Sequence, residues 1–401
     1  MFPTMSGTTT PRRVAILVET GRSYPRAILR GVRRYLAEHR PWATYLGRHT
    51  SDGEIPAWLS GWCGDGLLVQ CFSGEMADAL DRVGVPGVEL RSRRHCRGRP
   101  FVGCDNREVG TLVARHFLER GYRHFAALPV PGEDFFLERT SNFAARLRTS
   151  GHGCEELPHL PVGVPIDYER YQHGLVAALS ELPKPLAVLA ANDQAGVHLL
   201  DACRRGGYAV PEEIAVVGAE DDATLCEFAV PEMSSVRFDG ERVGYDAARI
   251  LDRLMDGGGM PRGPVLVPPL GIVTRQSSDD LAIRDRLVAR ATRLLRDHLA
   301  EGITAGEVAR RLRCSRSTLA RRMKLALGRG PGEELRNLRL QRVEHLLART
   351  NLTIDAIASQ TGIAQATHLH ALFRTRHGIT PGEYRRRHRS DDQDRLQSSA
   401  R

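Results

Sequence analysis

Polar and charged side chains follow several apolar runs in the first 280 residues, at the points where predicted strands end. Carboxylates and amides exchange hydrogen bonds with vicinal hydroxyl groups, and an arginine adds a bidentate donor. Aromatic side chains such as Tyr24 and Phe72 can cover the apolar face of a sugar ring. These residue types indicate a binding site for a small polyhydroxylated ligand. The predicted ligand-binding residues are Glu19, Tyr24, Ser73, Asp105, Arg139, Asn192, Asp193, Glu220 and Asp221.

A structural role is the alternative for several of these residues. Asp105, Asp193 and Asp221 each stand near the start of a predicted helix, where an aspartate commonly caps free N–H groups. The sequence has no glycine-rich phosphate fingerprint, no His-Glu-x-x-His and no nucleophile motif after a strand. The run Glu220-Asp221-Asp222 has no supporting His or Cys. We therefore expect no metal ion and no organic cofactor.

A second set of residues with a recognisable chemistry lies in residues 303–387, which nearly repeat themselves. Thr304 aligns with Thr353 at a spacing of 49 residues, and Gly328 aligns with Gly378 at a spacing of 50. Self-similarity at a fixed period indicates two copies of one supersecondary unit. Each copy has a threonine N-cap, a short helix, a tight turn and a second helix that ends at glycine. This order predicts a helix-turn-helix.

The second helix of each copy has an apolar face and a polar face. Leu319, Met323 and Leu327 recur at helical spacing in the first copy, whereas the opposite face is cationic. A cationic helix face of this kind fits the major groove of DNA. A basic helical bundle used for protein contacts is the alternative. The predicted DNA-binding residues are Arg316, Ser317, Ala320, Arg321 and Lys324 in the first copy, Gln365, Thr367, His370 and Arg374 in the second, and Arg385 beyond it.

A continuous amphipathic helix is predicted between the copies, at residues 332–349, where it would act as a stiff spacer. The strings ARRLRCSRSTLARRMK and LFRTRHGITPGEYRR, with the closing Pro381, Tyr384 and Arg385, resemble the DNA-binding domain of the AraC family of transcription regulators. The resemblance covers about the last quarter of the chain. It implies an all-α domain with two helix-turn-helix units that bind operator DNA.

The charge of the chain is unevenly distributed. The net charge is +9, but residues 284–401 contain 25 Lys and Arg against 12 Asp and Glu. The remaining residues contain 32 against 36, so they are slightly acidic. The cationic part coincides with the repeat, as a domain that binds a polyanion requires.

The first 280 residues alternate short apolar runs with longer amphipathic runs, which is typical of α/β domains with doubly wound parallel sheets. This length suffices for two lobes, and we place the change of lobe near residues 129–132. Ligands of such folds bind at the carboxyl ends of the strands, between the lobes. Strands are predicted at residues 14–18, 67–70, 87–90, 102–104, 125–128, 187–190, 214–217 and 265–267, and helices at 25–39, 75–83, 107–120, 135–150, 168–181, 194–205 and 242–255.

Three strings resemble the ligand-binding core of LacI-type repressors and type I periplasmic sugar-binding proteins: LVARHFLERGYRHFAAL, VLAANDQAGVHLLDACRRGGYAVPEEIAVVGAEDD and VLVPPLGIVTRQS. The resemblance spans about residues 13–277 and implies that Asn192, Glu220 and Arg139 hold the ligand. The family usually has Asp where this chain has Glu220. Either the pocket differs in size or Asp221 takes that role.

The combination of such a sensor with a C-terminal AraC-type domain is that of the regulators of xylose operons, which the whole chain resembles, including Tyr24 after the first strand. The resemblance implies a homodimer that senses a small sugar, such as the pentose xylose, and binds double-stranded operator DNA. As an activator, such a protein contacts RNA polymerase. A sugar-modifying α/β enzyme fused to a DNA-binding tail is one alternative, and a DNA organiser with a decayed sensor is another.

The predicted domain boundaries are a flexible N-terminus at residues 1–12, a two-lobed sensor at 13–277, a linker at 278–284, a DNA-binding domain at 285–389 and a disordered tail at 390–401. The eight cysteines are scattered singly, which indicates reduced thiols. The first thirteen residues lack the apolar segment of a secretory signal. No run reaches the roughly 18 apolar residues of a membrane span. We therefore expect a cytoplasmic protein with no membrane partner.

Overall fold

The structure is a computed structural model that describes residues 11–47, 55–159, 167–279, 285–350 and 352–386. It divides into two compact units. The first contains Met1–Gly207 and Ala215–Asp280, and the second contains Tyr208–Ile214 and Leu281–Arg401. Residues 280–284 of the predicted linker, residues 1–10 of the predicted flexible N-terminus and the whole predicted tail at 390–401 lie outside the described residues.

The strands of the first unit form two larger sheets and one strand pair. They are β1 (Arg12–Leu17), β2 (Trp42–Leu46), β3 (Gly66–Val69), β4 (Gly87–Glu89), β5 (Val102–Cys104), β6 (His124–Leu128), β7 (Glu155–Glu156), β8 (Leu186–Ala190), β9 (Ile214–Glu220), β10 (Ser234–Arg237), β11 (Val265–Val267) and β12 (Gly271–Val273). One parallel sheet has the order β2-β1-β3-β4, and β5 pairs with β11. The other sheet has the order β12-β10-β9-β8-β6-β7, in which β12 is antiparallel to β10.

Eight helices connect these strands within the described residues. They are α1 (Ser23–Glu38), α2 (Gly74–Val83), α3 (Asn106–Glu119), α4 (Asp134–Thr149), α5 (Tyr168–Glu181), α6 (Asp193–Arg205), α7 (Ala223–Phe228) and α8 (Gly240–Met255). Each predicted strand and helix is confirmed, with ends that differ by at most three residues. Four strands (β2, β7, β10 and β12) and helix α7 were not predicted. Strand β10 reads SSVR, and its two buried serines hide the apolar pattern that a buried strand normally shows.

The two larger sheets belong to two lobes, and the described chain crosses between them after β5, after β10 and after β11. Helix α1 packs against α8 in the first lobe, whereas α3 packs against α4 in the second. The predicted change of lobe near residues 129–132 is therefore wrong. The chain already enters the second lobe at residues 104–106, because α3 contacts β8 and β12 as well as α4.

Helices α1 and α8 pack together over the core of the first lobe, which includes Val14, Ile16 and Val32. A Cβ atom on Gly31 would lie 2.0 Å from the Glu241 carbonyl oxygen, and one on Gly244 would lie 1.9 Å from the Ile28 carbonyl oxygen. Only glycine fits at these two positions. The close approach fixes α1, and with it the loop that precedes α1.

Among the residues described after residue 284, the second unit consists of helices and their connecting loops, and the Tyr208–Ile214 segment also belongs to it. Its two apolar cores share one long helix, which confirms the predicted spacer. Leu335 and Leu338 belong to the first core, whereas Val343 and Leu347 belong to the second. The helices are α9 (Arg286–Asp297), α10 (Ala305–Arg311), α11 (Arg316–Leu327), α12 (Pro331–Arg349), α13 (Ile354–Gln360) and α14 (Ala366–His377).

The helix ends of both copies follow the predicted signals. Thr304 accepts a hydrogen bond from the Glu307 N–H, and Thr353 accepts one from the Ala356 N–H. Gly328 ends α11 at φ 73°, and Gly378 ends α14 at φ 71°. These angles lie in the left-handed region that glycine adopts without strain. The two copies are therefore matched helix-turn-helix units, α10–α11 and α13–α14.

Candidate functional site

A cavity lies between the carboxyl ends of the strands of the two lobes, which is the binding position expected for this fold. It is called the inner cavity below. It combines carboxylates, guanidinium groups and aromatic rings, which are the groups that hydrogen-bond hydroxyls and cover a sugar ring. Its principal lining residues are Glu19, Arg22, Tyr24, Gln70, Arg91, Phe135, Arg139, Glu220 and Phe238.

Arg139 is the most firmly held side chain of the inner cavity. It is buried, and its Nε donates to Asn106 Oδ1 at 2.8 Å. Its Nη1 donates to the Ala191 carbonyl at 2.7 Å and lies 3.3 Å from Glu220 Oε1. The rings of Phe136 and Phe238 lie about 5 Å from the guanidinium carbon, close enough for cation–π attraction. The guanidinium is therefore preorganised, with its charge balanced by Glu220.

Glu220, not Asp221, reaches the inner cavity. The two residues have φ angles of 110° and 52°, which are unusual for residues other than glycine and cost roughly 1–3 kcal/mol each. This turn sends Glu220 into the cavity and leaves the Asp221 carboxylate buried between Arg275 (2.8 Å) and Arg237 (2.7 Å). The sequence left open whether Glu220 or Asp221 takes the place of the aspartate that LacI-type sensors usually have. The geometry favours Glu220, whose side chain is one methylene longer than that aspartate.

Asn192 and Asp193 line a second space, called the outer cavity below. Asn192 caps α6 through the Ala195 N–H at 2.8 Å, a role predicted for Asp193. Asp193 accepts hydrogen bonds from the Ser235 hydroxyl (2.5 Å) and the Asp222 N–H (2.7 Å), and burial raises its pKa to about 8. The outer cavity is lined by Gly21, Arg22, Arg26, Asn192, Asp193, Gln194, Glu220, Asp222, Thr224 and Leu225.

Ser73 and Asp105 lie outside both cavities, although they were predicted to bind ligand. Ser73 accepts from the Met76 N–H at 3.1 Å and caps α2. Asp105 accepts from the Arg107 and Glu108 N–H groups and caps α3. Both residues follow a strand because they cap the next helix. For Asp105, this structural role was the alternative considered.

Five principal lining residues of the inner cavity were not among the predicted ligand-binding residues: Arg22, Gln70, Arg91, Phe135 and Phe238. Arg91 directly follows the predicted strand at residues 87–90, so the rule that selected the other residues also applied to it. Phe135 lies beside Arg139 in α4, and Phe238 packs edge-to-face on Tyr24 with ring centroids 5.2 Å apart. Phe238 follows β10, a strand that the sequence did not reveal. Burial also raises the pKa of Tyr24 well above its usual value, so its hydroxyl stays protonated.

An arginine-rich loop, residues 91–99 between β4 and β5, contacts both lobes. Two of its arginines hold it to α2 in the first lobe, and three successive residues reach the start of α4 in the second. These lobe-bridging contacts hold one side of the cleft closed. The pairs are Arg97–Asp78, Arg99–Asp81, Arg91–Glu133 (2.7 Å), Ser92–Asp134 (2.8 Å) and Arg93–Glu138.

In the second unit, the predicted recognition face of α11 is exposed. Leu319 and Met323 are fully buried, as predicted, and Ala320 is half-buried. The exposed residues are Arg316, Ser317, Arg321 and Lys324. Within the described residues these three cations have no carboxylate partner, whereas the neighbouring Arg322 binds Asp285 at 2.5 Å. These three positive charges therefore lie on the face that would meet DNA.

The second recognition helix, α14, has a similar but less cationic face. Its exposed predicted residues are Gln365, Thr367, His370 and Arg374. Arg385 is half-buried, and its guanidinium donates to the Leu352 carbonyl at 2.6 Å. Arg385 thus fastens the segment that follows α14, in addition to any contact with phosphate.

Comparisons with known proteins match both units. A model of the periplasmic binding protein-like domain matches residues 114–278, and a model of the helix-turn-helix domain matches residues 308–387. The xylose operon regulatory protein of Escherichia coli K12 is 26% identical over 381 residues, which cover 93% of this chain and 96% of the relative. That of Haemophilus influenzae is 24% identical and covers 93% and 98%.

Solved structures agree with these matches. The structure of the xylose-binding transcription activator xylR superposes with a TM-score of 0.83 at 26% identity, covering 94% of this chain and 98% of that one. A complex of the regulator CelR with cellobiose has a TM-score of 0.54 at 25% identity and covers 67% of this chain and 85% of that one. The predicted fold class, a periplasmic-binding-protein-like α/β domain followed by a helix-turn-helix domain, is confirmed. Within the described residues no helix has the length and apolar character to cross a membrane, and no metal-ligand cluster is present.

Proposed function

We propose that this chain, a transcription regulator in which a periplasmic-binding-protein-like sensor precedes a helix-turn-helix domain, changes its binding to operator DNA when an uncharged sugar enters the inner cavity. The supporting observation is the composition of that cavity: Glu220 and Glu19 offer carboxylate acceptors, Arg139 offers a fixed donor and Tyr24 lies beside it. The charges balance within the site, so a neutral polyol fits better than a sugar acid or a sugar phosphate.

We propose D-xylose as the effector, because relatives that match this chain over nearly its full length are named as xylose regulators. The protein then acts as an activator of a carbohydrate operon, binds as a homodimer in the cytoplasm and contacts RNA polymerase. The sugar is sensed and released unchanged. Proton NMR of xylose after long incubation with the protein should show no product, and any turnover would indicate an enzyme instead.

On DNA, each protomer places two recognition helices on successive major-groove faces, about one turn apart. Base contacts come from Arg316, Ser317 and Arg321 in α11, and from Gln365, Thr367 and His370 in α14. Phosphate contacts come from Lys324, Arg374 and Arg385. This assignment is supported by the exposure of α11 cations that no carboxylate neutralises among the described residues.

Calorimetric titration of the full chain with D-xylose, D-ribose and D-glucose tests the sensor. We expect xylose to bind and Glu220→Gln to weaken binding about 10- to 100-fold, because a hydrogen bond to a charged acceptor contributes roughly 1.5–3 kcal/mol. Glu227→Gln is the matched control, since Glu227 is exposed and lines neither cavity. Equal affinity in wild type and Glu220→Gln, or no binding by any sugar, would contradict the proposal.

A gel shift on the promoter of the neighbouring operon tests the DNA side. We expect xylose to change the affinity or the size of the complex, and transcription with purified RNA polymerase to rise. A complex that is the same with and without every sugar tested would remove the regulatory part of the proposal.

A further inference from the structure

The inner and outer cavities of the sensor share one wall. Only Arg22 and Glu220 line both spaces among the described residues. The two spaces are therefore neighbouring compartments of one cleft, separated by a pair of side chains.

The shared wall is weakly held. Arg22 Nη1 lies 3.8 Å from Glu220 Oε2, and Arg22 Nε lies 3.9 Å from Glu19 Oε1, so neither contact has the length of a hydrogen bond. The Arg22 side chain is 45% exposed. The Glu220 and Glu19 side chains are only 13% and 15% exposed, so the contacts are weak because of their length and the exposure of Arg22. Arg22 can therefore leave the wall at little cost and join the two compartments.

The outer cavity has hydrogen-bonding side chains suited to a carbohydrate, but no aromatic side chain on which a sugar ring could stack. Its lining includes an amide (Asn192), a carboxylate (Asp222) and a hydroxyl (Thr224), but no aromatic ring. The Oδ1 of Asn192 is engaged in the cap of α6, while its Nδ2 has no hydrogen-bond partner among the described residues. The aromatic rings line the inner cavity instead. One sugar ring would thus be covered in the inner cavity, and a second ring would be held by hydrogen bonds in the outer one.

We propose that the outer cavity is a second sugar subsite, so that the sensor binds a disaccharide whose glycosidic link passes between Arg22 and Glu220. This inference rests on the proposed function, because it takes the inner cavity as the site of the first ring. Hydroxyl groups that flank the glycosidic link donate to the Glu220 carboxylate in place of Arg22, whose side chain turns away from the wall. The ligand class of the whole cleft is therefore an uncharged two-ring saccharide, and a single ring such as D-xylose occupies the inner cavity alone.

Calorimetry of the full chain with two matched pairs, D-xylose with 1,4-β-xylobiose and D-glucose with cellobiose, tests the subsite. We expect a disaccharide to bind wild type at least as tightly as its own monosaccharide. Thr224→Trp should fill the outer cavity and weaken disaccharide binding at least tenfold, while the monosaccharide is unaffected. Thr224 is exposed in α7, so the variant should fold. Ala223→Trp is the control, since Ala223 is exposed in the same turn and lines neither cavity.

A second variant tests the wall. Arg22→Ala should raise the ratio of disaccharide to monosaccharide affinity, by up to about fivefold if the pair contributes as much as 1 kcal/mol. Monosaccharide binding without disaccharide binding, in wild type and in Arg22→Ala, would overturn the subsite and leave the proposed function standing. Disaccharide binding that Thr224→Trp does not weaken would overturn it as well. Failure of every saccharide to bind would overturn both.

Discussion

Arginine has different surroundings in the sensor cleft and on the recognition helix. In the cleft, Arg139 faces Glu220 and Arg91 faces Glu133. On α11, Arg316 and Arg321 have no carboxylate partner among the described residues. Buried cations need compensation because desolvation of an unpaired charge is costly, whereas exposed cations can remain unpaired until phosphate arrives. The pairing of an arginine thus indicates whether its site suits a neutral or an anionic ligand.

The largest expected effect comes from removing the paired arginine in the cleft. Arg139→Met leaves the Glu220 carboxylate, Asn106 Oδ1 and the Ala191 carbonyl without their donor. Breaking a buried ion pair costs about 3–5 kcal/mol. The thermal transition of the sensor should fall by several degrees and sugar binding should be lost. Calorimetry measures this with Arg33→Met as control, because Arg33 is exposed in α1 and lines neither cavity. A change no larger than that of the control would show that the pairing is unimportant.

Removing a cation from the recognition helix α11 should weaken DNA binding without affecting folding. Arg321→Ala should cost about 1–3 kcal/mol and relax specificity at one base position, whereas Lys324→Ala should weaken all sequences alike and reduce the salt slope. Arg322→Ala is a close control, because this neighbour is already paired with Asp285. Gel shifts with a scanned operator at several salt concentrations measure both effects. An equal loss on every sequence for Arg321→Ala would count against base reading.

His116 shows how the sensor interior treats a charge that lacks a partner. Burial and the nearby Arg120 lower its pKa to about 3, and its Nε2 contacts Ser278 Oγ at 2.9 Å. The unfolded chain takes up this proton near pH 6.5, so stability is present above that pH and is lost as pH falls toward 3. The loss approaches about 1.4 kcal/mol per pH unit. Urea unfolding of wild type and His116→Gln between pH 7 and 4 measures this loss of unfolding free energy. If the free energies of the two proteins fell equally with pH, His116 would not be its cause.

The smallest effect is expected for a paired arginine at the surface. Arg310 lies 3.3 Å from Glu307 and is 77% exposed. Exposed pairs at this helical spacing contribute about 0.3–0.5 kcal/mol. Arg310→Ala should therefore leave the melting temperature within about two degrees of wild type. A larger drop in differential scanning calorimetry would mean that pairing matters at the surface as well.

Most helices and strands could be predicted from the sequence because the signals that define them are local. N-caps at Thr304 and Thr353, and the glycines that end α11 and α14, depend on neighbours a few residues away. Strand β10 could not be found, because its buried Ser234 and Ser235 are satisfied by hydrogen bonds to residues 41–42 positions away. Local patterns do not reveal such distant partners.

The candidate site was only partly predictable for a related reason. The sequence shows which polar residue follows a strand, but one carboxylate can either cap a helix or face the cleft. Asp105 caps α3, whereas Glu220 is turned into the inner cavity by an unusual backbone conformation. Arg91, Phe135 and Phe238 come from three different segments, and only the folded chain brings them together.

The arginine-rich loop at residues 91–99 gives the sensor and the recognition helices different responses to ionic strength. Arg91, Ser92 and Arg93 are consecutive, so widening the cleft must separate two ion pairs and a hydrogen bond together. Dissolved ions screen exposed charges over about 10 Å at 0.1 M, but they screen partly buried contact pairs such as these much less. The exposed cations of α11 should therefore lose their attraction to phosphate at salt concentrations that leave the loop contacts in place. Concentrated salt would thus release the duplex before it releases the sugar.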